Sequence, residues 1–390
     1  MLKNFTAGGR TAMQRTVNPF QVGSTPTLRT MKNNLGNYTH QVDNPDSFLR
    51  FDLTEGDCWF KDDIKSWFKE IDMQDIIHYP DERILKTKKL LARWLHMKED
   101  NIAIGNGSDE LIELIQRIFT NPEDKILTIA PSFFRYTESS LRAKNSVITI
   151  KLNKNNFEWD NSSIKKFLKK AEDKKVKLIW LASPNNPTGI DIPGPVLLEI
   201  IKSGKIVILD KVLNGFTKEL REASMLVRDN SNLLILSGFS KTFGLPGLRF
   251  GFAVGHPTII ESLEKWHLPF NVSGPTLFIV EKLIHSLLSK KITLKDGFKF
   301  IIEREFLKEK IARLKNIKLA SDSKTNFILL RPEKPLDPFR KLLEKGILVT
   351  NLNKTSGIKN KNFIRVTLGD RQKNILLLKA LQEIDLEVTN

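Results

Sequence analysis

The sequence predicts an α/β fold built on a mainly parallel sheet with helices on both faces, followed by a smaller α+β unit. Three observations lead there. Between Asn101 and Gly255 amphipathic stretches alternate with short β-rich runs. Several of those runs, such as Lys205-Ile206-Val207-Ile208-Leu209-Asp210, are continuously apolar. Such strands are buried on both faces, which is the condition of a parallel sheet under two helical layers. Beyond residue 257 the spacing lengthens into helical periodicity.

In chain order, the periodicity predicts helices over 108–120, 136–143, 161–172 and 195–203. Strands are expected over 125–130, 147–152, 176–182, 205–210, 233–237 and 248–254. The second unit is expected to hold helices over 257–268, 275–290 and 296–315 and strands over 325–331, 346–350 and 363–368. The N-terminal segment is too short for a core of its own, so it docks on that unit. The expected domains are therefore 1–74 as an arm and part of the small domain, 75–270 as the large domain and 271–390 as the small domain. Ligands of such sheets bind at the carboxyl ends of the strands.

The 390 residues are 40% hydrophobic and 27% charged, ordinary for a globular chain of two domains. No apolar run reaches the roughly 18 residues that span a bilayer, so no membrane partner is expected. The single cysteine, Cys58, excludes an internal disulfide and thiolate metal clusters, and with them any metal centre of that type. A reducing compartment, the cytoplasm, is the expected location. The net charge of +17 is spread over short clusters such as Lys86-Thr87-Lys88-Lys89 and Lys165-Lys166 beside apolar helix positions. These read as solvated helix faces, with attraction of an anionic substrate or cofactor as the second reading. Zinc-finger spacing, an RNP-like strand and a spare helix-turn-helix are all missing, so nucleic acid is not an expected partner. The first acid is Asp43, preceded by Lys3, Arg10, Arg15, Arg29 and Lys32. This stretch is expected to be an ordered arm, not a cleaved transit peptide.

The chemistry concentrates after strand 233–237, in Ser237-Gly238-Phe239-Ser240-Lys241-Thr242-Phe243-Gly244-Leu245-Pro246-Gly247-Leu248-Arg249. A lysine at a strand end can be desolvated until its amine is neutral, as a Schiff base requires. Alone this means little, since a lysine after a strand is solvated far more often than catalytic. With Ser240, Gly244, Gly247 and Arg249 the segment resembles the lysine motif of fold-type I pyridoxal phosphate (PLP) enzymes. In particular it is similar to class I/II aminotransferases of the histidinol-phosphate aminotransferase group. That resemblance implies a large domain with a seven-stranded sheet in a three-layer α/β/α sandwich, a smaller α+β domain, PLP on Lys241 and a homodimer.

Further segments fall in the order that the resemblance requires. Gly105-Asn106-Gly107-Ser108-Asp109-Glu110 precedes a helix, where free N–H groups make a phosphate cradle. The same residues also read as a helix cap by Ser108 with acids on the helix dipole. The resemblance makes Gly107, Ser108 and Asp109 cofactor contacts, with the acidic side chains turned away from the phosphate. Phe133, in Pro131-Ser132-Phe133, would stack on the pyridine ring or else simply fill the core. Asn186, in Pro184-Asn185-Asn186-Pro187-Thr188-Gly189, is implied as donor to the cofactor's phenolic oxygen. Asp210 ends an apolar strand, where a carboxylate is costly unless paired. Opposite a pyridinium nitrogen it would keep the ring an electron sink, and as a helix cap it would do nothing. Tyr79 matches a tyrosine that reaches the phosphate of the other subunit. Arg365, in Phe363-Ile364-Arg365-Val366-Thr367, matches an arginine that grips the substrate's anion, a task suited to its fork. Otherwise it is a solvent-facing residue of an edge strand. Gly56 lies where the resembled proteins approach the substrate.

Three positions depart from that pattern. Leu213 stands where a tyrosine normally shares the phenolic oxygen, Gly238 where a serine or threonine meets the phosphate, and Thr350 where a second substrate-phosphate arginine is found. The expectation is transamination between an amino acid and a 2-oxo acid, with histidinol phosphate a poor substrate. The alternative is decarboxylation, oxidation or cyclisation of an amino acid on the same scaffold.

Overall fold

A computed structural model describes residues 41–387 apart from 57, 59, 215, 216 and 293–298. The basic arm before residue 41, with His40, lies outside the described residues. Along the chain, β1 (Leu49–Phe51) leads into α1 (Lys61–Lys69), α2 (Gln74–Ile77) and α3 (Asp81–Leu95). Strand and helix then alternate through β2 (Ile102–Asn106), α4 (Gly107–Phe119), β3 (Lys125–Ala130), α5 (Phe134–Arg142), β4 (Ser146–Lys151), α6 (Asn161–Ala171), β5 (Val176–Ala182), α7 (Gly194–Ile201) and β6 (Ile206–Asp210). After α8 (Thr217–Met225) come β7 (Leu233–Gly238) and β8 (Phe250–Gly255). The remainder is α9 (Pro257–Glu264), α10 (Gly274–Leu288), α11 (Lys299–Ala312), β9 (Ile317–Leu319), β10 (Phe327–Pro332), α12 (Pro338–Glu344), β11 (Ile347–Asn351), β12 (Ile364–Thr367) and α13 (Arg371–Glu387).

The large sheet has seven strands in the order β2-β8-β7-β6-β5-β3-β4. Only β8 runs antiparallel, to β2 and to β7. Successive residues of β6 face opposite layers, as the strand period of two requires. Val207 and Leu209 join a core with α3, α7, α8 and α10, while Ile208 joins one with α4, α5 and α9. The result is the three-layer fold-type I architecture, and the continuously apolar strands are its cause.

The small sheet has the order β1-β11-β12-β10-β9, with β1 parallel to β11. The N-terminal strand thus completes a sheet made of residues nearly 300 positions later, Leu49 lying opposite Ile347. Helix α10 falls on the far side of the boundary expected at residue 270. Its Leu277, Val280, Leu283 and Ile284 are buried in the core under the large sheet, in contact with α3. Helical period marks a buried stripe but not the layer it faces. The periodicity also picks out neither α12 nor α13; in α13 the run Ile375-Leu376-Leu377-Leu378 blurs the face, and Ile375 and Leu376 are exposed. No helix among the described residues is long and apolar enough to cross a membrane.

Leu283 is fully buried between α10 and the sheet. Leu283→Ala should cost about 2–5 kcal/mol, lost transfer energy plus the cavity left behind. A urea melt should show this as a lower midpoint with an unchanged slope.

Candidate active site

A cavity of about 390 Å³ opens at the carboxyl ends of β3, β5, β6 and β7. Ser108, Phe133, Asn186, Asp210, Lys241 and Arg249 line it, with Leu53, Thr54 and Glu55 closing one side. Parallel strands explain this convergence, because every loop that leaves a carboxyl end meets at the same edge.

Lys241 follows β7 and is anchored by its neighbours. Phe239 and Phe243 are buried, 4.8 Å apart at the ring centroids, and both pack on Trp94. The lysine between them is held at the cavity wall, and its Nζ donates to the Leu53 carbonyl at 2.9 Å. Burial, reinforced by the positive charges of Arg365 and Arg249 against Glu55, lowers its amine to about 8. This is the direction that a nucleophilic amine needs.

Asp210 is buried at the end of β6. Burial pushes its carboxyl above the usual range, opposed by two donors. The Tyr136 hydroxyl donates to Oδ2 at 2.7 Å and the Val212 N–H to Oδ1 at 2.8 Å. Tyr136 also lines the cavity. It is the residue that motif logic missed; its place three residues after Phe133, one helical turn on, was the available signal. Phe133 meets Tyr136 edge to face at 5.5 Å. Leu213 lines the same cavity with a side chain that cannot donate.

Asn185 and Asn186 have divided roles. Asn185 ties its turn to the Phe133 segment, donating to the Pro131 carbonyl at 3.0 Å and to Thr188 Oγ1 at 2.9 Å. Asn186 is left to the cavity, where its Oδ1 accepts from Arg365 Nη1 at 2.7 Å.

The opposite end is an anion cradle. Helix α4 begins at Gly107, so Ser108 sits inside its first turn and does not cap it. Gly107 has φ +78°, and a Cβ there would lie 2.5 Å from Arg249 Nη2. A Cβ on Gly251 would lie 2.5 Å from the Gly107 carbonyl carbon, so backbone excludes a side chain there, while Gly107 is held to glycine by its positive φ. Glu110 turns away as expected, accepting from Asn271 Nδ2 at 2.9 Å. Asp109 does not. It lines the cavity, its charge held by Arg135 at 3.1 Å and Arg249 at 3.5 Å. Helix N–H groups, Ser108, Ser240 and Arg249 form one donor end, with a buried carboxylate and a partly neutral amine beyond. That set matches the phosphate, ring nitrogen and aldehyde of PLP.

Arg365 is buried on β12 at the centre of the small sheet, which excludes the solvent-facing edge reading. Its Nη2 donates to the Asp52 carbonyl at 2.8 Å and to Thr350 Oγ1 at 3.1 Å. Gly56 lies beside Lys241, a Cβ there meeting the Lys241 carbonyl at an ordinary 3.5 Å, so space alone does not demand glycine. Gly238 is different, since a Cβ would stand 2.8 Å from the Phe250 carbonyl oxygen. Tyr79 is absent from the cavity wall; it is 80% exposed and stacks on Phe270 at 4.5 Å.

The fold and this donor set define a PLP-dependent enzyme of the α/β transferase type. The chain belongs to the family described as aminotransferase class I and II, whose pattern matches residues 51–381. It is 32% identical to the histidinol-phosphate aminotransferase of Pyrococcus furiosus over 350 residues, 89% of this chain and 93% of that one. Among solved structures, the histidinol-phosphate aminotransferase of Sinorhizobium meliloti in complex with pyridoxal-5'-phosphate superposes with TM-score 0.73 at 20% identity, covering 87% of this chain and 91% of that chain. The L-threonine-O-3-phosphate decarboxylase of Porphyromonas gingivalis superposes with TM-score 0.72, also at 20% identity, covering 87% and 99%. At such identities the likeness is one of fold.

An amine with pKa about 8 is neutral in about one molecule in eleven at pH 7, against about one in three thousand for an ordinary lysine. In the cofactor-free protein, cyanate should therefore carbamylate Lys241 well ahead of surface lysines. Peptide mapping across pH should place the midpoint near 8; a midpoint above 10 contradicts the burial argument.

Proposed function

We propose that the enzyme transfers the amino group of an amino acid to a 2-oxo acid with PLP carried on Lys241, and that histidinol phosphate is not its substrate. The observation that carries the reading is the single substrate-side guanidinium. Arg365 has Thr350 beside it, and Thr350 Oγ1 donates to the Asp52 carbonyl at 2.6 Å, so among the described residues a hydroxyl, and not a second guanidinium, occupies that place. One arginine fork matches a carboxylate and leaves a phosphate dianion undercompensated.

When bound, PLP supplies an aldehyde carbon for the substrate amine and a ring that withdraws electrons from the substrate Cα. The protein supplies the rest. The cradle of Gly107, Ser108, Ser240 and Arg249 would hold the phosphate end, Phe133 would cover the ring, and Asn186 would orient its oxygen. Asp210 would hold the ring nitrogen and keep a proton there. Arg365 orients the substrate through its carboxylate, and Lys241 Nζ, once free, takes the proton from the substrate Cα as general base. Leu53 and Leu213 keep water from that transfer.

The exposed apolar residues Met73, Ile76, Ile77 and Leu268 around Tyr79 support a homodimer in which Tyr79 serves the neighbouring subunit's cofactor. A second reading, acceptor-independent decarboxylation or related chemistry, is favoured by Leu213, which removes a donor from the cavity wall.

Single-turnover experiments separate the two. Transamination yields about one equivalent of 2-oxo acid per subunit without an acceptor and then stops; continued turnover with release of carbon dioxide would sink it. Arg365→Lys should raise KM for the amino acid by about 10–100-fold with a smaller loss in kcat, because the bidentate fork is lost. Thr350→Arg should bring measurable activity on histidinol phosphate, which the parent turns over poorly.

A further inference from the structure

The grip on Asp210 comes from two separate elements. Val212 holds Oδ1 from the turn after β6, and Tyr136 holds Oδ2 from α5. The phenol is itself fixed from behind. Its ring stacks on Trp180 at 5.0 Å with planes 12° apart. Trp180 Nε1 donates to Gln116 Oε1 at 3.1 Å, and Gln116 Nε2 donates to Asn145 Oδ1 at 2.6 Å. Tyr136, Trp180, Gln116 and Asn145 are all buried, so α4, α5 and β5 together place one hydroxyl.

Such a chain is more than core filling requires. Stacking alone would seat a phenylalanine equally well, and the hydroxyl is spent on the carboxylate. A hydrogen bond to a buried carboxylate is charge-assisted, hence short and strong, and it opposes the burial that favours the neutral acid. The other charges acting on Asp210 are Asp109 on α4, which disfavours ionisation, and Lys211 next in sequence, which favours it. Without the phenol, Oδ2 loses its donor, and the carboxylate can turn about its terminal torsion, which has broad wells.

We propose that Tyr136 is a positioning residue for the reaction: acting through Asp210, it fixes that carboxylate toward the pyridine nitrogen of PLP. This rests on the reading that PLP occupies the cavity with its nitrogen at Asp210.

The test compares wild type, Tyr136→Phe, Asp210→Asn and the double variant, each stripped of cofactor and titrated with PLP. Tyr136→Phe should weaken PLP binding about tenfold, the value of one charge-assisted hydrogen bond. It should also lower kcat by a similar factor with KM for the amino acid within about twofold, and move the pH midpoint of the bound cofactor's absorbance. The double variant should bind PLP as Asp210→Asn does, within about twofold, because the phenol acts only through that carboxylate. A tyrosine that merely supports the fold would instead weaken Asp210→Asn by the same factor as wild type, and that result overturns the proposal. So does Tyr136→Phe with wild-type affinity and pH profile. If Tyr136→Phe does not fold, the comparison of Asp210→Asn with the double variant, where the charge that needs the phenol is gone, still decides. A wild-type protein that binds no PLP fails at the functional reading itself; wild-type binding with an indifferent Tyr136→Phe removes this inference alone.

Discussion

The buried carboxylate of Asp210 is the constraint on which the rest of the site depends. Taking a charge out of water is expensive unless donors replace the solvent. Here they come from a hydroxyl on α5 and an amide just past β6. The continuously apolar strands that make the sheet also make the low-dielectric edge, and that edge shifts two groups toward neutrality. The amine of Lys241 falls to about 8, while the carboxyl of Asp210 rises but is held back by its donors. One sheet edge thus lowers an amine and raises a carboxyl that two donors oppose, the kind of paired environments in which acid and base chemistry can share a pocket.

The small sheet enters the site by reach. Arg365 projects from β12 to Asn186 on the loop after β5, and the carbonyls of Asp52 and Leu53 accept from Arg365 and Lys241 respectively. The segment just after β1 is therefore a strap across both cations. With acceptors at both terminal nitrogens, the guanidinium is preoriented, so less side-chain entropy remains to be lost when an anion binds. Asn186 gives its oxygen to Arg365 and keeps its amide hydrogens for the cavity, which in the proposed reading would tie substrate binding to the group that orients the cofactor.

Much of this was legible in the sequence. Parallel strands show as continuous apolar runs such as residues 205–210, and Asp210, Asn186 and Lys241 stand where such runs end. The structure brings Gly107, Ser108, Phe133, Ser240 and Arg249 around the same cavity. What escaped the reading depends on long-range pairing. A period of 3.6 told that α10 has a buried face but not that the face belongs to the large sheet. No local pattern announces that Tyr136 meets Asp210, 74 residues away. Nor does spacing reveal that Asp109 stays in the cavity, since that follows from Arg135 on α5, a different helix from the one that carries Asp109.

The departures from the family pattern acquire physical causes. At Gly238 the backbone of β8 comes so close that a serine would press on the Phe250 carbonyl, so glycine there reflects strand spacing and the cradle must rely on Ser108, Ser240 and Arg249. Arg249 is partly spent on Asp109 at 3.5 Å, and Asp109 in turn leans on Arg135. In the proposed reading Arg249 is committed to the cofactor's phosphate, Lys241 becomes neutral on release, and Glu55 at the mouth adds a negative charge paired with Arg50 at 3.2 Å. Arg365 is then the only cation assigned to the substrate. A monoanionic carboxylate balances it; a phosphate dianion would leave a charge uncompensated, and such a charge is costly where it is buried. In that reading, charge count at the cavity, more than its shape, selects the substrate class.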